Sequence, residues 1–240
     1  MYIGVGQDPE HLDGVGHFWC IDATREGDIS PELVTDATKK PPVTRPNPNS
    51  GAVWHYGGND TRPRSYRDHV FGRTMSTACI VDDVVYIPEM TGYLDCLDAK
   101  TGKRFWTYDT RAAIWGSCLY ADGKVFVGNE DGDVDVFRHD PKPIVLDSPD
   151  DAFVRAATAT AQNARPGVDA KERDKDASNA GQLAAKKAQR RIEDRLLIRK
   201  IEMDQVIRST PSAVGETLYI ATESKLIAIT AKSPPVEKKP

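Results

Sequence analysis

Residues 76–109 read STACIVDDVVYIPEMTGYLDCLDAKTGKRFWTYD, and this stretch decides the fold. Val84-Val85-Tyr86-Ile87 is a β-branched and aromatic run bounded by turn residues, the pattern of a strand. A second run follows through Leu94 and Leu97, Thr101-Gly102 reverses the chain, and a last strand carries Trp106. Three short strands with turns between them, then a Gly turn and a Trp-bearing strand, make one antiparallel sheet.

The same order recurs. With a shift of roughly 40 residues, a period expected of propeller repeats, Ser117 to Gly123 falls on Thr77 to Asp83 and Lys124-Val125-Phe126-Val127 falls on Val84 to Ile87. Gly132 then meets Gly92, and Val134, Val136 and Phe137 meet Leu94, Cys96 and Leu97. A third copy runs from Ser209 through Thr217-Leu218-Tyr219-Ile220 to Leu226-Ile227-Ala228-Ile229, one residue shorter in its second turn. At the N-terminus Met1-Tyr2-Ile3 matches Val85 to Ile87, His17 to Asp22 matches Tyr93 to Asp98, and Val53 to Tyr56 matches Phe105 to Tyr108. Asp122-Gly123 and Asp131-Gly132 read as two-residue hairpin turns, where Gly supplies the positive φ. Sheets repeated at this spacing predict an all-β chain, a β-propeller of about four four-stranded antiparallel blades. The N-terminal blade is incomplete, because no inner strand precedes Met1.

The string Leu97-Asp98-Ala99-Lys100-Thr101-Gly102-Lys103-Arg104-Phe105-Trp106 resembles the repeat of the PQQ-like (quinoprotein dehydrogenase-like) β-propellers. In that family a Gly turn precedes an outer strand whose Trp packs between neighbouring blades, and Trp106 and Trp54 occupy that position. The blade that begins near Ser117 has no such Trp, and the last blade has no outer strand. The resemblance covers most of residues 1–230 outside two insertions. It implies a fold more than a function, since the family holds quinone-dependent dehydrogenases, an outer-membrane barrel-assembly lipoprotein and many exported proteins.

Composition agrees with a globular chain. The 240 residues are 39% hydrophobic, enough to bury a good core, and the net charge of −4 does not mark a nucleic-acid binder. No apolar run reaches membrane-spanning length. No basic-then-apolar leader opens the chain, although the resemblance implies periplasmic or exported relatives. Two readings of the incomplete first blade stand. The favoured one is a piece of a larger propeller whose upstream blades and leader lie elsewhere, because an unpaired inner edge is avoided in sheets. The other is a half-ring that closes by self-association.

Inner strands line the central channel of a propeller. Met75, Trp115 and Arg208 align just ahead of them, with Arg73 close by, so these four are the candidate ligand-binding residues at the channel mouth. An aromatic face beside guanidinium groups suits an anion or a planar ligand. Other clusters read more simply. Asp8, Glu10, His11, Asp13 and His17 fall in a polar loop without zinc-type spacing, and Arg62, Arg64, Arg67 and His69 in a rim loop. Asp131, Asp133 and Asp135 invite calcium, but a hairpin turn leading into a strand with one wet face accounts for them. The prolines between Thr24 and Ser50 make that stretch irregular, with one short helical turn near Pro31-Glu32-Leu33-Val34.

Cys20, Cys79, Cys96 and Cys118 read as buried free thiols acting as small hydrophobes. No CxxC spacing, haem-attachment motif or adjacent cysteine pair occurs, whereas the resemblance implies a vicinal disulfide beside the cofactor in the dehydrogenases. The sequence therefore reads as a non-enzymatic scaffold for protein or ligand binding, without a cofactor and with no catalytic or metal residues. The alternative is the remnant of a PQQ-dependent oxidoreductase, with PQQ and calcium as its cofactors. The expected partners are a protein, the missing blades or a second copy, with no nucleic acid and no membrane span.

Residues 1–149 are read as blades, 150–200 as a partly helical Ala/Lys/Arg-rich insertion, 201–230 as the last blade and 231–240 as a disordered tail. Between Ala152 and Lys200 stand twelve Lys/Arg and six Asp/Glu, a local charge of +6 that leaves −10 on the remainder. Ala184, Ala188, Ile192 and Leu196 recur at helical spacing within Ala180 to Lys200, and Arg165-Pro166-Gly167 breaks any earlier helix. Three readings of the insertion stay open: a solvated helix on a tether, a basic arm docked on its own acidic propeller, or an arm for a partner or nucleic acid.

Overall fold

The structure, a computed structural model, describes residues 1–6, 15–58, 71–164 and 167–230. Four antiparallel meander sheets follow one another along the chain. The first holds β1 (Tyr2–Val5), β2 (His17–Ile21) and β5 (Ala52–Gly57), with a separate hairpin, β3 (Glu32–Asp36) and β4 (Val43–Pro46), between its last two strands. The second holds β6 (Cys79–Val81), β7 (Val84–Pro88), β8 (Tyr93–Asp98) and β9 (Arg104–Asp109). The third holds β10 (Leu119–Ala121), β11 (Lys124–Gly128), β12 (Asp133–Arg138) and β13 (Leu197–Glu202). The fourth holds β14 (Ser212–Val214), β15 (Thr217–Ala221) and β16 (Leu226–Thr230). Two sheets thus have four strands and the first and last have three, and the described sheets do not close into a ring.

The turns follow from local chemistry. Asp82 and Asp83 (φ 50° and 61°) and Asp122 and Gly123 (φ 49° and 68°) make the first hairpins of the second and third sheets, as a primed turn requires. Asp131-Gly132 differs from the two-residue turn expected of it. Asn129 N donates to Asp133 O, so three residues loop out and only Gly132, at φ 86°, is left-handed. The buried Asn129 side chain satisfies that loop by accepting from the N–H groups of Asp131 and Asp133. Glu89, equally buried, does the same for Thr91 and Tyr93 in the second sheet.

Period-two alternation gives each inner sheet two buried faces. Val85, Ile87 and Leu97 of the second sheet pack against Phe18, Cys20 and Trp54 of the first. Its alternate residues Tyr86, Cys96, Trp106 and Tyr108 pack against Val125, Val127 and Phe137 of the third. Val134 and Val136 then turn to Ile220 of the fourth. One contact fixes the first interface: Trp54 Nε1 and Tyr2 Oη both donate to Ala99 O, at 2.9 and 3.0 Å. The indole lies over Gly102, where an added Cβ would come within 2.6 Å of the ring.

Both insertions enter at the same place, the connection from third strand to outer strand. The second sheet makes that connection with the short Asp98–Lys103 turn, in which Asp98 Oδ1 accepts from the N–H groups of Lys100 and Thr101. The first sheet inserts the β3–β4 hairpin there, so the helical turn expected near Pro31 is instead the start of a strand; alternating exposure and β-branched Val34 and Thr35 suit it. The third sheet inserts two helices, α1 (Pro149–Gln162), capped by Ser148, and α2 (Ala170–Leu196), capped by Asp169. The helices therefore begin one residue before the expected insertion, and Leu197–Glu202 belongs to β13, the outer strand of the third sheet.

This helical hairpin is docked on its own propeller, one of the three readings left open by the sequence. Gln189 pairs with the edge of β9 as a backbone would, its Nε2 donating to Asp109 O at 2.9 Å and its Oε1 accepting from Asp109 N at 3.2 Å. Leu146 N donates to Phe105 O at 2.7 Å on the same edge. Ile192 is fully buried among Trp106, Tyr108 and Phe137, and Arg104 pairs with Asp151 at the start of α1. An outer-strand edge that would otherwise stand open is covered.

The Trp54–Gly102 contact makes a testable prediction. Gly102 and Gly123 both have left-handed φ, but nothing lies within 4 Å of a Cβ at Gly123. Gly123→Ala is expected to cost about 1 kcal/mol, the left-handed penalty alone. Gly102→Ala adds displacement of the indole and is expected to cost roughly 1–3 kcal/mol more, read as the difference between the two variants in urea unfolding.

Candidate functional site

The chain passes from each sheet to the next through a similar crossing. Met90 N donates to Arg73 O, Glu130 N to Ala113 O and Ile207 N to Asn129 O, so each crossing is tied to a β-turn loop of a sheet beside it. The candidates Arg73, Met75, Trp115 and Arg208 all sit on these crossings. Neighbouring crossings are stitched together. Ser76 Oγ donates to Gly116 O at 2.9 Å, Ser117 Oγ accepts from Thr77 N at 2.8 Å, and Thr210 Oγ1 accepts from Ser117 N at 2.9 Å.

Trp115 and Arg208 meet. The guanidinium carbon lies 6.0 Å from the Trp115 ring centroid, the outer limit of a cation–π contact. Glu130, which the sequence reading did not place here, accepts from Arg208 Nε at 3.0 Å and balances its charge. Trp115 Nε1 is buried and has no hydrogen-bond partner among the described residues. Met75 stands out at 62% exposure, and the Cβ of Arg73 lies alongside Gly6 of the first sheet. The geometry thus groups Trp115, Arg208 and Glu130 and leaves Met75 and Arg73 on the crossing before them. The Glu130 carboxylate thus offsets the guanidinium charge beside the Trp115 ring.

A second set of polar groups lies inside the sheets. Asp95 on β8 and Asp135 on β12 are repeat-equivalent and fully buried. Asp95 accepts from the Thr107 hydroxyl, and the Tyr56 hydroxyl of the first sheet hydrogen-bonds both Asp95 and Arg104. Burial and the neighbouring Asp95 carboxylate push the Tyr56 phenol far above its ordinary range. Asp135 has Lys200 Nζ at 3.3 Å, and the same ammonium lies 2.9 Å from Asp133. The strand face carrying Asp133 and Asp135 is therefore not wet, as the sequence reading had it: Asp135 is fully buried, and Lys200 of the neighbouring strand β13 reaches both carboxylates. Lys200 stands between the two carboxylates where a calcium ion would have to sit. Among the described residues no group of three or more His, Cys, Asp or Glu side chains converges to hold a metal.

His17 Nδ1 lies 2.9 Å from His55 Nε2, and Trp19 stacks on His55 with centroids 3.9 Å apart. The remaining loop candidates Asp8, Glu10, His11 and Asp13, and Arg62, Arg64, Arg67 and His69, lie outside the described residues. Trp19 belongs to a face the sequence reading passed over. With Ile3, Val5, Ile21, Ile29 and Pro31 it lines a groove of about 340 Å³ on the side of the first sheet turned away from the second. The signal was present in the repeat: Trp19 stands where the second sheet has buried Asp95, and Ile3 where it has buried Ile87.

Burial raises the Asp135 carboxyl to about 6, with Asp133 and Glu193 adding to the rise and Lys200 opposing it. An unfolded Asp titrates near 3.9, so the folded state holds this proton more tightly. Its stabilising contribution is full below about pH 4 and is lost as pH rises through 6, an amount of about 3 kcal/mol. Asp135→Asn is expected to flatten that part of the stability–pH curve while Lys200 keeps Asp133. Thermal melting across pH 4–7 on both proteins checks it, and an unchanged slope would contradict it.

No family profile matches the chain. Over 92 residues it is 34% identical to a quinoprotein ethanol dehydrogenase of Pseudomonas aeruginosa, a match covering 34% of this chain and 13% of that protein. Over 51 residues it is 43% identical to the quinohemoprotein alcohol dehydrogenase ADH-IIG of Pseudomonas putida, covering 19% of this chain and 7% of that one. Among solved structures, BamB from Moraxella catarrhalis aligns over 94% of this chain and 45% of its own, at TM-score 0.43 and 16% identity. The quinohemoprotein alcohol dehydrogenase of Comamonas testosteroni aligns over 70% and 18%, at TM-score 0.37 and 14% identity. The matches thus span a small part of the curated relatives and less than half of these solved chains. The repeat, the sheets and the sequence matches agree: this chain is built of PQQ-like β-propeller blades, and over the matched stretches it is similar to quinoprotein alcohol dehydrogenases.

Proposed function

We propose that the chain is a non-enzymatic propeller scaffold whose first-sheet face docks a further sheet, supplied by a protein partner or by blades of a larger propeller. The open face of the first sheet carries this reading. Ile3 and Val5 are 40% and 50% exposed, beside half-buried Trp19 and Ile21. Their counterparts Ile87 and Leu97 in the second sheet are fully covered by the first. An apolar sheet face of this kind is stable in water when another sheet packs on it. Trp19 and His55 replace the Asp95–Thr107 pair of the second sheet, so the docking surface presents an aromatic stack where the inner interface has a polar one.

The sequence relatives favour a second reading, a quinone-dependent oxidoreductase. PQQ held by calcium needs carboxylate and amide oxygens converging on the ion. At the proposed channel mouth Glu130 is engaged by Arg208, and at the acidic strand Lys200 occupies the space between Asp133 and Asp135. These donor sets do not fit a calcium-bound quinone.

Two experiments test the proposal. Native mass spectrometry is expected to find the chain associating through the open face, and Ile3→Asp with Trp19→Asp to leave a monomer of unchanged far-UV circular dichroism. A wild-type chain that is monomeric and does not bind a hydrophobic dye at this face would contradict it. Added PQQ with calcium is expected to give no dye-reducing complex; alcohol-dependent dye reduction would favour the second reading.

A further inference from the structure

Two of the four cysteines face each other across an interface between blades. Cys79 opens β6, and Cys118 immediately precedes β10, the corresponding inner strand of the third sheet. In the repeat Cys118 matches Ala78 and Leu119 matches Cys79, so the two cysteines are offset by one position. Side chains on a strand alternate between faces, and that offset points Cys79 toward the third sheet and Cys118 back toward the second. Both lie against the cluster formed by Tyr86, Trp106, Val125 and Phe137. The two crossings leading into these strands are bonded to each other by Ser76 Oγ to Gly116 O and by Thr77 N to Ser117 Oγ. All four cysteines are free thiols, and Cys118 Sγ donates to the carbonyl of Tyr86, the residue that Cys79 faces across β6 and β7.

The pair is asymmetric. Cys118 is 7% exposed, and its Sγ donates to Tyr86 O at 3.4 Å. Cys79 is half-buried, the least covered of the four cysteines. The neighbouring Cys118 side chain and the Tyr120 backbone favour its thiolate and, against the opposing effect of burial, bring its thiol down to about 7. Cys118 moves the other way, its thiol raised by the neighbouring Cys79 and by burial. A less buried thiol that ionises near neutrality beside a buried protonated one is the division of labour of a nucleophile and a resolving cysteine.

We propose that Cys79 and Cys118 form a redox-active dithiol that exchanges with low-molecular-weight disulfides, Cys79 as the attacking thiolate and Cys118 as the resolving thiol. In the first step Cys79 S⁻ attacks one sulfur of RSSR, forming the mixed disulfide Cys79–S–S–R and releasing RS⁻. In the second, Cys118 loses its proton and attacks Cys79 Sγ, releasing the second RS⁻. The protein dithiol is oxidised by two electrons, the external disulfide is reduced to two thiols, and both protons leave with them. The product ties the inner strands of the second and third sheets covalently, between elements more than thirty residues apart in the chain. Cys20 is buried in the interface of the first and second sheets, and Cys96, in the same cluster as the pair, is held from Cys79 by Tyr86 of the strand between them; neither takes part.

The test uses the full chain, reduced and freed of reductant, then treated with oxidised glutathione at neutral pH and blocked with iodoacetamide. The expected product is lighter than the reduced protein by two hydrogen atoms. Its peptide map joins Cys79 to Cys118 and leaves Cys20 and Cys96 alkylated after denaturation, and reductant reverses the change. Cys118→Ser is expected to accumulate one glutathione on Cys79, and Cys79→Ser to react at least about tenfold more slowly than wild type, as expected when a low-pKa thiol is lost. A bond involving Cys20 or Cys96, or native protein whose Cys79 never reacts, would overturn the proposal. Should Cys118→Ser fail to fold, the pH profile of Cys79 alkylation in the wild-type chain decides. A midpoint near 7 supports the assignment, and a midpoint at the ordinary thiol value of about 8.5 overturns it.

Discussion

The structure depends on sheets covering one another face to face, and the carbonyl of Ala99 shows how closely that covering is specified. It receives the Trp54 indole and the Tyr2 phenol from the first sheet, 2.9 and 3.0 Å away. The indole can reach it because residue 102, three positions on, has no side chain. A short antiparallel sheet alone in water is marginal. Here each inner sheet spends one set of alternate residues on the sheet before it and the other set on the sheet after it. Val85 and Tyr86, adjacent in sequence, are both fully buried, and they are buried in different interfaces.

The same requirement explains where the chain departs from its repeat. The link from third to outer strand lies at the rim of each sheet, so it can lengthen without disturbing an interface. The second sheet closes it with a short Thr-Gly turn, and that turn seats Trp54. The third sheet has no equivalent turn to seat Trp106, and the helical hairpin supplies the missing cover through Ile192 and Leu196. Gln189 completes it by giving Asp109 the two backbone hydrogen bonds that a neighbouring strand would have given. The positive charge of the insertion is thus carried by an element that is packed on the acidic blades at its apolar face, with Lys186, Lys187 and Arg190 left on the outside.

Most of the fold was legible because strand period, turn residues and the Trp position repeat in register, and several independent copies checked one another. What escaped lacked that repetition. Leu197 to Lys200 follows the helix without a break and carries Arg199 and Lys200, so it reads as helix; only its pairing with β12 makes it a strand. The first helix was hidden by the Arg165-Pro166-Gly167 break after it, and the hairpin at Glu32 by its prolines. The candidate site was legible in position but not in partners. Trp115 and Arg208 could be placed on neighbouring crossings by alignment, whereas Glu130 reaches Arg208 from a loop 78 residues earlier. Burial of Asp135 was missed because alternation says which residues share a face but not whether a later strand brings a lysine to it.

Hydrogen–deuterium exchange along the intact chain tests the central claim most directly. If face-to-face covering holds the molecule together, the slowest amides belong to β7, β8, β11 and β12, whose sheets are covered on both sides. The first and fourth sheets, each with one face open, exchange faster, and the helical hairpin falls between. Protection greatest in the helices, or equal in all four sheets, would contradict the account.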